Sequence, residues 1–489
     1  MEHIFQPQTR EELYRPYRSW PAAHYAKLKA AADQSPYRTS FHIQPPYGLL
    51  NDPNGFCYFN GLWHVFYQYY PAGTCHGLKS WYHVTSPDLV HWHNEGIALN
   101  PDTKYDSQGV YSGSAKVMGD QVFLFYTGNV RSADWQRKSY QNGAWMNKAG
   151  QITKLRHPLI ESNPEFTAEF RDPMMFDADG QRWLVIGAQD QEKQGRLAVY
   201  RAASDQLDDW QYQGPLNVGQ ADLGYMVECP NLVWVDHQPV VIYCPQGLSQ
   251  ETLSYSNAYP DVAVIGQKLD MKHLTIEGAT PAALIDDAFD LYAMQAINAP
   301  DGRALGIAWV GGAETDYPTD GQGWSGCLTL VRELSVHHKH LYQYPVAEAQ
   351  TLRQTYRSGT FHENSPFKAG QHYELQLTLD ADKQTEIHLL ADEVNQHYLA
   401  LKLDSTSGVA TLNRSRVGNV ATTMQDTARR SKFSAHQKIT VSVFFDRSVI
   451  EIFFNHGERV MTARVFPDVD EDYLFAENLA YEFWELANK

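Results

Sequence analysis

The stretch NGLWHVFY, residues 60–67, joins a turn to a short apolar strand. Asn60-Gly61 is a strong hairpin-turn signal, because both residue types tolerate positive φ. The run Trp63–Tyr67 that follows is rich in aromatic and β-branched residues, which favours a strand. This unit, a turn followed by an apolar strand, is the pattern from which the fold is predicted.

The same unit occurs five times along the chain. The four later copies place an apolar run after a turn signal: Val122–Tyr126 after Gly119-Asp120, Trp183–Ile186 after Asp179-Gly180, Val240–Tyr243 after Asp236-His237, and Ala304–Trp309 after Asp301-Gly302. The centres of neighbouring runs are 57 to 65 residues apart. Each run is also preceded by a strand-like segment: Phe56–Phe59, Gly113–Met118, Met174–Phe176, Leu232–Val235 and Ala293–Ile297.

Five hairpins at this spacing predict an all-β fold whose main domain is a five-bladed β-propeller, in which repeated sheets close into a ring without long exposed edges. The alternative is an irregular all-β protein whose turns happen to be evenly spaced. A propeller would place one residue of each blade at the start of the innermost strand, beside the axis. Those residues are Asp52, Ser112, Asp172, Glu228 and, near Asp290, Ala293. Three of these five positions are carboxylates.

The propeller is predicted for residues 41–340, after an N-terminal helical extension, residues 1–40, with a helix from about Ala22 to Ala32. Residues 341–353 form a polar segment that contains Pro345, and they predict a linker that allows a helix after the proline. Residues 354–489 predict a β-sandwich. Its expected strands are His372–Leu379, Thr385–Leu390, Tyr398–Leu403, Ile439–Phe445 and Val449–Phe454.

The bulk composition restricts the partners and the compartment. The chain has 489 residues, of which 43% are hydrophobic, and a formal net charge of −17, so nucleic acid and anionic membranes would repel it. The start lacks a basic segment followed by an apolar run, and no window approaches about 18 uninterrupted apolar residues. The five cysteines form no Cys-x-x-Cys pair. These features predict a cytoplasmic protein without a membrane span, and they leave the oligomeric state open.

Three short motifs carry the axial acids. They are Asn51-Asp52-Pro53-Asn54-Gly55, Phe170-Arg171-Asp172-Pro173 and Val227-Glu228-Cys229-Pro230-Asn231. By itself, Asp-Pro-Asn-Gly is ordinary turn chemistry. Carboxylates that are forced close together cannot all ionise at their usual pKa, so one is expected to remain protonated near neutral pH. This separation of roles is what glycoside hydrolysis requires.

These motifs resemble glycoside hydrolase family 32, the family of invertases and fructosidases. The resemblance extends over essentially the whole chain and depends on the order of eight motifs: Asn51–Gly55, Phe66–Tyr69, Ser86–Trp92, Tyr111–Ala115, Phe125–Asn129, Arg171–Pro173, Glu228–Pro230 and Asp446–Phe453. Each motif alone is weak evidence for the family, and the eight motifs in this order are strong evidence. The resemblance implies a five-bladed propeller followed by a β-sandwich, and retaining hydrolysis of β-fructofuranosides. It implies no metal and no other cofactor.

The resemblance also implies roles for individual residues. Asp52 corresponds to the nucleophile, Glu228 to the acid/base, and Asp172 to the carboxylate that stabilises the transition state. Arg171 is expected to keep Asp172 ionised and to bind sugar hydroxyl groups. Three residues are expected to line the fructose subsite, Asn51, Gln68 and Ser112, and Tyr111 is expected to bind the substrate as well.

The segment His76–His83 and the long extension before Phe41 resemble the bacterial sucrose-6-phosphate hydrolases within this family. They imply cleavage of sucrose 6-phosphate, sucrose or both, and Lys79 is a candidate contact for the phosphate. The alternative for Lys79 is a solvated surface lysine. The alternatives for the protein are a fructan-cleaving β-fructosidase, a fructosyltransferase or a non-catalytic fructan-binding protein. Tyr82 and His76 depart from the common family pattern, which puts recognition of the leaving group in question.

Overall fold

The protein is built mainly from β-strands. The computed structural model describes residues 6–7, 9–204, 207–312, 315–363, 365–418 and 426–487. Within these ranges the helices are short: α-helices Arg10–Leu13 and Ala22–Gln34, and 3₁₀-helices Tyr17–Ser19, Pro318–Gln322 and Ala347–Leu352. The alanine-rich helix Ala22–Gln34 confirms the predicted N-terminal helix, and it ends before Ser35-Pro36. No helix in the described ranges is long and apolar enough to cross a membrane.

Five antiparallel sheets follow one another along the chain. The strands of the first sheet are Gly48–Phe59, Leu62–Tyr70, Ser80–Ser86 and His93–Leu99, and those of the second are Val110–Met118, Gln121–Arg131, Arg137–Met146 and Ile152–Lys154. The third contains Phe166–Ala178, Gln181–Asp190, Gly195–Ala202 and Trp210–Pro215. The fourth contains Met226–Val235, Gln238–Gln246, Val262–Ile265 and Ala283–Leu284, and the fifth Tyr292–Asn298, Ala304–Val310, Arg332–His337 and His340–Pro345.

Three short additions complete this part of the fold. Trp324–Ser325 pairs in parallel with the first strand of the first sheet, at Gly48 and Leu49. Cys327–Leu328 pairs with the second strand of the fifth sheet. Lys268–Asp270 and Thr275–Glu277 form a separate hairpin.

Two six-stranded sheets make up the C-terminal part. In spatial order the first contains Arg353–Thr360, Ala480–Leu486, His372–Leu379, Ile439–Asp446, Val449–Phe454 and Arg459–Arg464. The second contains Phe367–Lys368, Tyr473–Phe475, Gln384–Ala391, Tyr398–Asp404, Val409–Arg416 and Ala428–Lys432. A continuous apolar cluster includes residues of both sheets, such as Leu375 and Leu401.

The structure confirms all five predicted hairpins, because every predicted strand lies inside an observed one. All five strands predicted near the C-terminus are present as well. The predicted linker was partly wrong: His340–Pro345 is the outer strand of the fifth sheet, with Leu341 and Gln343 buried on one face. The 3₁₀-helix Ala347–Leu352 follows Pro345, as the linker prediction allowed.

Polar contacts link the first strand of each sheet to that of the next. The contacts in chain order are Gly113 N to Asn54 Oδ1 (2.8 Å), Met175 N to Ser114 Oγ (3.3 Å), Cys229 N to Asp172 Oδ2 (2.9 Å), Asn231 Nδ2 to the Met294 carbonyl (2.8 Å), and Phe56 N to Gln295 Oε1 (2.7 Å). The last contact returns from the fifth sheet to the first. Buried hydrogen bonds of this kind specify the arrangement of the strands that carry the acids.

A buried ionic network attaches the segment before the first sheet to the C-terminal sheets. His42 Nδ1 lies 2.9 Å from Asp446 Oδ2, and its Nε2 lies 2.9 Å from Glu451 Oε1. Arg332 of the fifth sheet donates to the other oxygen of Glu451, at 2.6 Å from Nη2. Burial alone would lower the pKa of His42, but contact with two carboxylates raises it to about 9. The histidine is therefore charged at neutral pH, and it bridges the two parts of the molecule.

This network predicts a pH-dependent stability. The folded pKa of His42 lies above its ordinary value of 6.5, so its contribution is complete below pH 6.5 and is lost as the pH rises through 9. The difference corresponds to about 3 kcal/mol. We expect the thermal unfolding temperature to fall between about pH 6 and about pH 10 by more in the wild type than in His42→Gln. Parallel curves for the two proteins would contradict this role of His42.

Candidate active site

Each of the five first strands has an irregularity at the same place. The strand register shifts between Leu50 and Pro53, Val110 and Gly113, Arg171 and Met174, Glu228 and Asn231, and Tyr292 and Gln295. Proline lacks the N–H that a regular ladder needs, which favours a bulge at positions 53, 173 and 230. A bulge turns the local side chains away from the regular alternation. Asp52, Asp172 and Glu228 lie at these bulges and line one cavity.

Asp172 lies in the left-handed region, with φ of 65°, and so do Cys229 (45°) and Ala293 (55°) at the bulges of the next two sheets. This conformation is costly for residues other than glycine, and it is typical of functional sites. Asp172 is the seventh residue of its strand rather than the first, because the third sheet extends further before the bulge. Asp52 is the fifth residue of its strand, so the prediction that the acids begin their strands was wrong in detail for both, whereas Glu228, the third residue of its strand, lies near the start.

Asp52 is held by a set of neutral hydrogen-bond donors. Ser112 Oγ donates to Oδ2 at 2.7 Å, Gln68 Nε2 donates to the same oxygen at 3.1 Å, and Asn51 Nδ2 donates to Oδ1 at 3.0 Å. Burial raises the pKa of Asp52, while the contacts from Ser112 and Asn51 oppose that rise. These donors orient the carboxyl group and favour its ionised form.

Asp172 has a different environment. Its Oδ2 accepts a hydrogen bond from the Cys229 backbone N–H at 2.9 Å, and its own N–H donates to Thr127 Oγ1 at 2.9 Å. Burial raises the pKa of Asp172 to about 7, although the charge of Arg171 opposes this. The charge of Arg171 thus favours the ionised form of Asp172, as expected, but the guanidinium group forms its hydrogen bonds with Glu169 and Glu228. The expectation that one carboxyl group remains protonated near neutral pH agrees with the direction of this shift in pKa.

Glu228 accepts hydrogen bonds on both oxygens. Arg171 donates to Oε1 from Nε at 3.0 Å and from Nη2 at 2.8 Å. Gln246 Nε2 and Tyr292 Oη donate to Oε2, each at 2.7 Å. Both donors of Arg171 reach Oε1, and Gln246 and Tyr292 hold Oε2, so the four contacts together fix the orientation of the carboxyl group. Asp52 and Glu228 therefore face one cavity with distinct surroundings, one held by neutral donors and the other by an arginine.

Cys229 lies between two of the acids. Its Sγ is 3.8 Å from Asp52 Oδ2 and 3.7 Å from Asp172 Oδ2. Burial and these neighbouring carboxylates raise the pKa of the thiol strongly, so it remains protonated at neutral pH. A protonated thiol in this position packs between the carboxyl groups and is a poor nucleophile.

The cavity has a volume of about 200 Å³. Eight predicted site residues line it: Asn51, Asp52, Gln68, Lys79, Tyr111, Arg171, Asp172 and Glu228. Ser112 lies behind Asp52 and reaches it by a hydrogen bond without lining the cavity. Tyr82 does not line it either, since its ring stacks on Tyr67 with centroids 5.1 Å apart.

Lys79 is buried, with 3% of its surface exposed, so the alternative of a solvated surface lysine was wrong. Its Nζ donates to Asn51 Oδ1 at 2.5 Å. Burial lowers the pKa of Lys79 to about 7, while the charge of Asp52 opposes this. Lys79 thus lies on the Asp52 side of the cavity and holds the side-chain amide of Asn51, which donates to the carboxyl group of Asp52.

Sequence reasoning did not assign eight further lining residues: Tyr14, His76, Gly77, Arg137, Gln246, Tyr259, Tyr292 and Trp309. Tyr292 directly precedes Ala293, so the fivefold repeat contained a signal for it. Tyr14 had no such signal, because it comes from the N-terminal extension. That extension docks on the cavity wall: the Leu13 carbonyl accepts from Leu78 N at 2.8 Å, and Tyr17 Oη donates to the Leu78 carbonyl at 2.5 Å.

Comparisons with known proteins identify the family of this chain. The family model described as "Glycosyl hydrolases family 32 N-terminal domain" matches residues 42–345, and "Glycosyl hydrolases family 32 C terminal" matches residues 343–485. A sucrose-6-phosphate hydrolase from Pediococcus pentosaceus is 46% identical over 460 residues, which cover 94% of this chain and 91% of that protein.

Solved structures show the same relationship. The structure of a sucrose-6-phosphate hydrolase from Lactobacillus gasseri matches with a TM-score of 0.95 at 38% identity, covering 99% of this chain and 100% of that one. A mutant of a Bombyx mori GH32 beta-fructofuranosidase in complex with sucrose matches with a TM-score of 0.85 at 29% identity over 98% of each chain. The family models together span most of the chain. The protein therefore belongs to glycosyl hydrolase family 32 and is a glycoside hydrolase.

Proposed function

We propose that this enzyme hydrolyses the β-fructofuranoside bond of sucrose 6-phosphate through a covalent fructosyl-enzyme. The observation that carries the proposal is the placement of Asp52 and Glu228 in one cavity with different hydrogen-bonding environments. The relatives from Pediococcus pentosaceus and Lactobacillus gasseri are named sucrose-6-phosphate hydrolases, which supports sucrose 6-phosphate as the substrate. Sucrose is the second substrate in this proposal, since a related Bombyx mori enzyme was solved with it.

In the first step, Asp52 attacks the anomeric carbon of the fructosyl unit while the bond from that carbon to the leaving-group oxygen breaks. Glu228 gives its proton to that oxygen. Water then attacks the same carbon, Glu228 takes a proton from the water, and the bond to Asp52 breaks. This sequence releases fructose, restores both carboxyl groups and retains the configuration, which requires carboxyl groups about 5–5.5 Å apart.

The surroundings of the acids suit these roles. Ser112, Gln68 and Asn51 orient Asp52 for attack, and they favour the ionised form that a nucleophile needs. In the second step Glu228 acts as a base, and Arg171, Gln246 and Tyr292 donate to both of its oxygens, which suits the carboxylate form. In this proposal Asp172 binds hydroxyl groups of the fructosyl unit and stabilises its developing positive charge.

We also propose that the five N-terminal sheets are the blades of a five-bladed propeller and that the two six-stranded sheets form a sandwich. Three observations support the ring. Each first strand contacts the first strand of the next sheet, the fifth contacts the first, and Trp324–Ser325 pairs with the opening strand of the first sheet. The blades would comprise residues from about 41 to 345, followed by a linker up to 353 and the sandwich up to 489.

A cytoplasmic location belongs to the same proposal. The five cysteines are free, and three of them, Cys57, Cys244 and Cys327, are buried. Thiols that are not paired in disulfides suit a reducing compartment.

The substrate proposal is tested by comparing kcat/KM for sucrose 6-phosphate, sucrose and a short inulin-type oligosaccharide. We expect the phosphorylated disaccharide to be preferred by at least about tenfold, because one charged hydrogen bond contributes enough for such a ratio. Equal values for the two disaccharides would contradict the proposed substrate. Lys79→Ala, measured in the same assay, tests the prediction that Lys79 contacts the phosphate.

A further inference from the structure

Arginines and carboxylates form a chain of contacts that runs outward from Glu228. Arg171 bonds Glu228 and also donates to Glu169. Arg137, on the strand Arg137–Met146 of the second sheet, donates to the same oxygen of Glu169. Arg137 lines the cavity, and 22% of its side chain is exposed. Because Glu228 is the proposed acid, this chain leads toward the side from which the leaving group departs.

Positive charge is in excess at the end of this chain of contacts that is farther from Glu228. Arg131 and Arg137 lie directly opposite each other in the antiparallel pair of strands. Like charges at such positions repel each other. The carboxylate of Glu169 bonds both Arg137 and Arg171 and also faces the charge of Arg131, so one carboxylate is shared by three guanidinium groups, while Glu228 and Asp172 act on Arg171. Asp134, in the connecting loop, bonds Ser132 instead.

The arginines also have donors that the protein does not use. Nε of Arg137 and Nε of Arg131 are buried, and within the described residues neither has a hydrogen-bond partner. Leaving such a donor unpaired costs free energy, so these positions favour an anionic ligand that would order the side chains. A planar guanidinium group that can offer two N–H donors suits a phosphate group.

The position of Lys79 helps to decide which side of the cavity would bind the phosphate. Lys79 donates to Asn51, the neighbour of the proposed nucleophile, and therefore lies where the fructosyl unit would bind. The phosphate of sucrose 6-phosphate is on the glucosyl unit, which departs on the Glu228 side. Tyr14 and Tyr111 also line the cavity, and the charges of Arg131 and Arg137 act on Tyr111. These two tyrosines therefore provide hydroxyl groups near the arginines.

We propose that Arg137 binds the phosphate of a phosphorylated leaving group, and that the cavity mouth beside it, with Arg131, is the subsite for that group. The inference rests on the proposed function, since it requires a phosphorylated sugar as the substrate. It assigns recognition of the phosphate to the second sheet rather than to Lys79. In an acidic chain with a net charge of −17, this local excess of arginine would also attract an anionic sugar.

The test compares Arg137→Gln with the wild-type enzyme on both disaccharides. We expect the ratio of kcat/KM for sucrose 6-phosphate to that for sucrose to fall by about tenfold or more, to near one, because the charge-assisted contact that creates the preference is lost. Arg137→Lys should recover part of the ratio. Inhibition by glucose 6-phosphate, compared with glucose, gives a second readout without turnover, and its advantage over glucose should shrink by a similar factor in Arg137→Gln.

Lys138→Gln is the matched control. Lys138 is the next residue on the same strand, but its Nζ lies over the Tyr140 ring and 3.9 Å from Glu161, and it does not line the cavity. Lys138→Gln should leave unchanged both the ratio of kcat/KM for the two disaccharides and the advantage of glucose 6-phosphate over glucose as an inhibitor.

If kcat/KM falls by the same factor for both substrates in Arg137→Gln, Arg137 acts only by positioning Arg171, and the inference is wrong. If the wild-type enzyme shows no preference, the substrate proposal itself fails; if a preference persists in Arg137→Gln, only the assignment to Arg137 fails.

Discussion

Asp52→Asn is expected to lower kcat for sucrose and sucrose 6-phosphate by about 10⁴-fold or more, because loss of a nucleophile removes the covalent route. The substitution keeps the size of the side chain and an oxygen that can accept the hydrogen bond from Ser112. A large change in stability is therefore not expected. The measurement is single-turnover and steady-state kinetics on purified protein whose thermal unfolding temperature matches that of the wild type.

A mechanism-based fructosyl label supplies the positive evidence for Asp52. We expect the label to attach to the peptide that contains Asp52 in the wild type and to be absent from Asp52→Asn. Cys229 offers the matched control, because its Sγ lies only 3.8 Å from Asp52 Oδ2 while its raised pKa keeps it protonated. Cys229→Ser should therefore still be labelled at Asp52. Attachment at another residue, or substantial turnover by Asp52→Asn, would refute the assignment.

Glu228→Gln is expected to lower kcat for sucrose by about 10²- to 10⁴-fold, the usual contribution of a general acid and base. Glutamine keeps an oxygen that can accept from Arg171, so the geometry of the site should persist. The loss should be much smaller for an aryl β-fructofuranoside, whose leaving group departs without a proton. With that substrate, a fast first phase followed by slow release of fructose would show that the variant lacks the base for the second step.

Azide distinguishes the two acids. In Glu228→Ala, azide needs no general base and should attack the fructosyl-enzyme, so the rate with the aryl substrate should rise and a fructosyl azide should form. No such rescue is expected for Asp52→Asn, because no fructosyl-enzyme forms there. Equal losses of activity on sucrose and on the aryl substrate in Glu228→Gln would contradict the role of Glu228 as the acid.

Local chemistry accounts for the parts of the fold that were predictable. Turn residues such as Asn60-Gly61 and the short apolar runs after them act over a few residues, so the five hairpins could be identified one by one. Their even spacing then indicated that Asp52, Asp172 and Glu228 occupy equivalent positions. The structure places all three at bulges of equivalent strands and around one cavity.

The contacts of Arg171 were not predictable in this way. Its neighbour in sequence is Asp172, which suggested a pair, but the bulge at these residues breaks the regular alternation of side chains, so their order in the sequence does not give their partners. The guanidinium group instead reaches Glu228 in the fourth sheet. Lys79 shows the same limit, because a lysine in a polar segment is usually solvated and its burial depends on chain segments far away in sequence.

Residue patterns alone were sufficient to predict that the chain is all-β, where its hairpins lie, and which three carboxylates are equivalent, because these properties depend on local turns and on a repeated pattern. The folded structure was needed to show that Arg171 bonds Glu228, that Lys79 is buried on Asn51, and that Tyr14 and Arg137 line the cavity. These contacts join residues that are distant in the chain or belong to different sheets. Packing between elements selects such partners, and no local pattern encodes them.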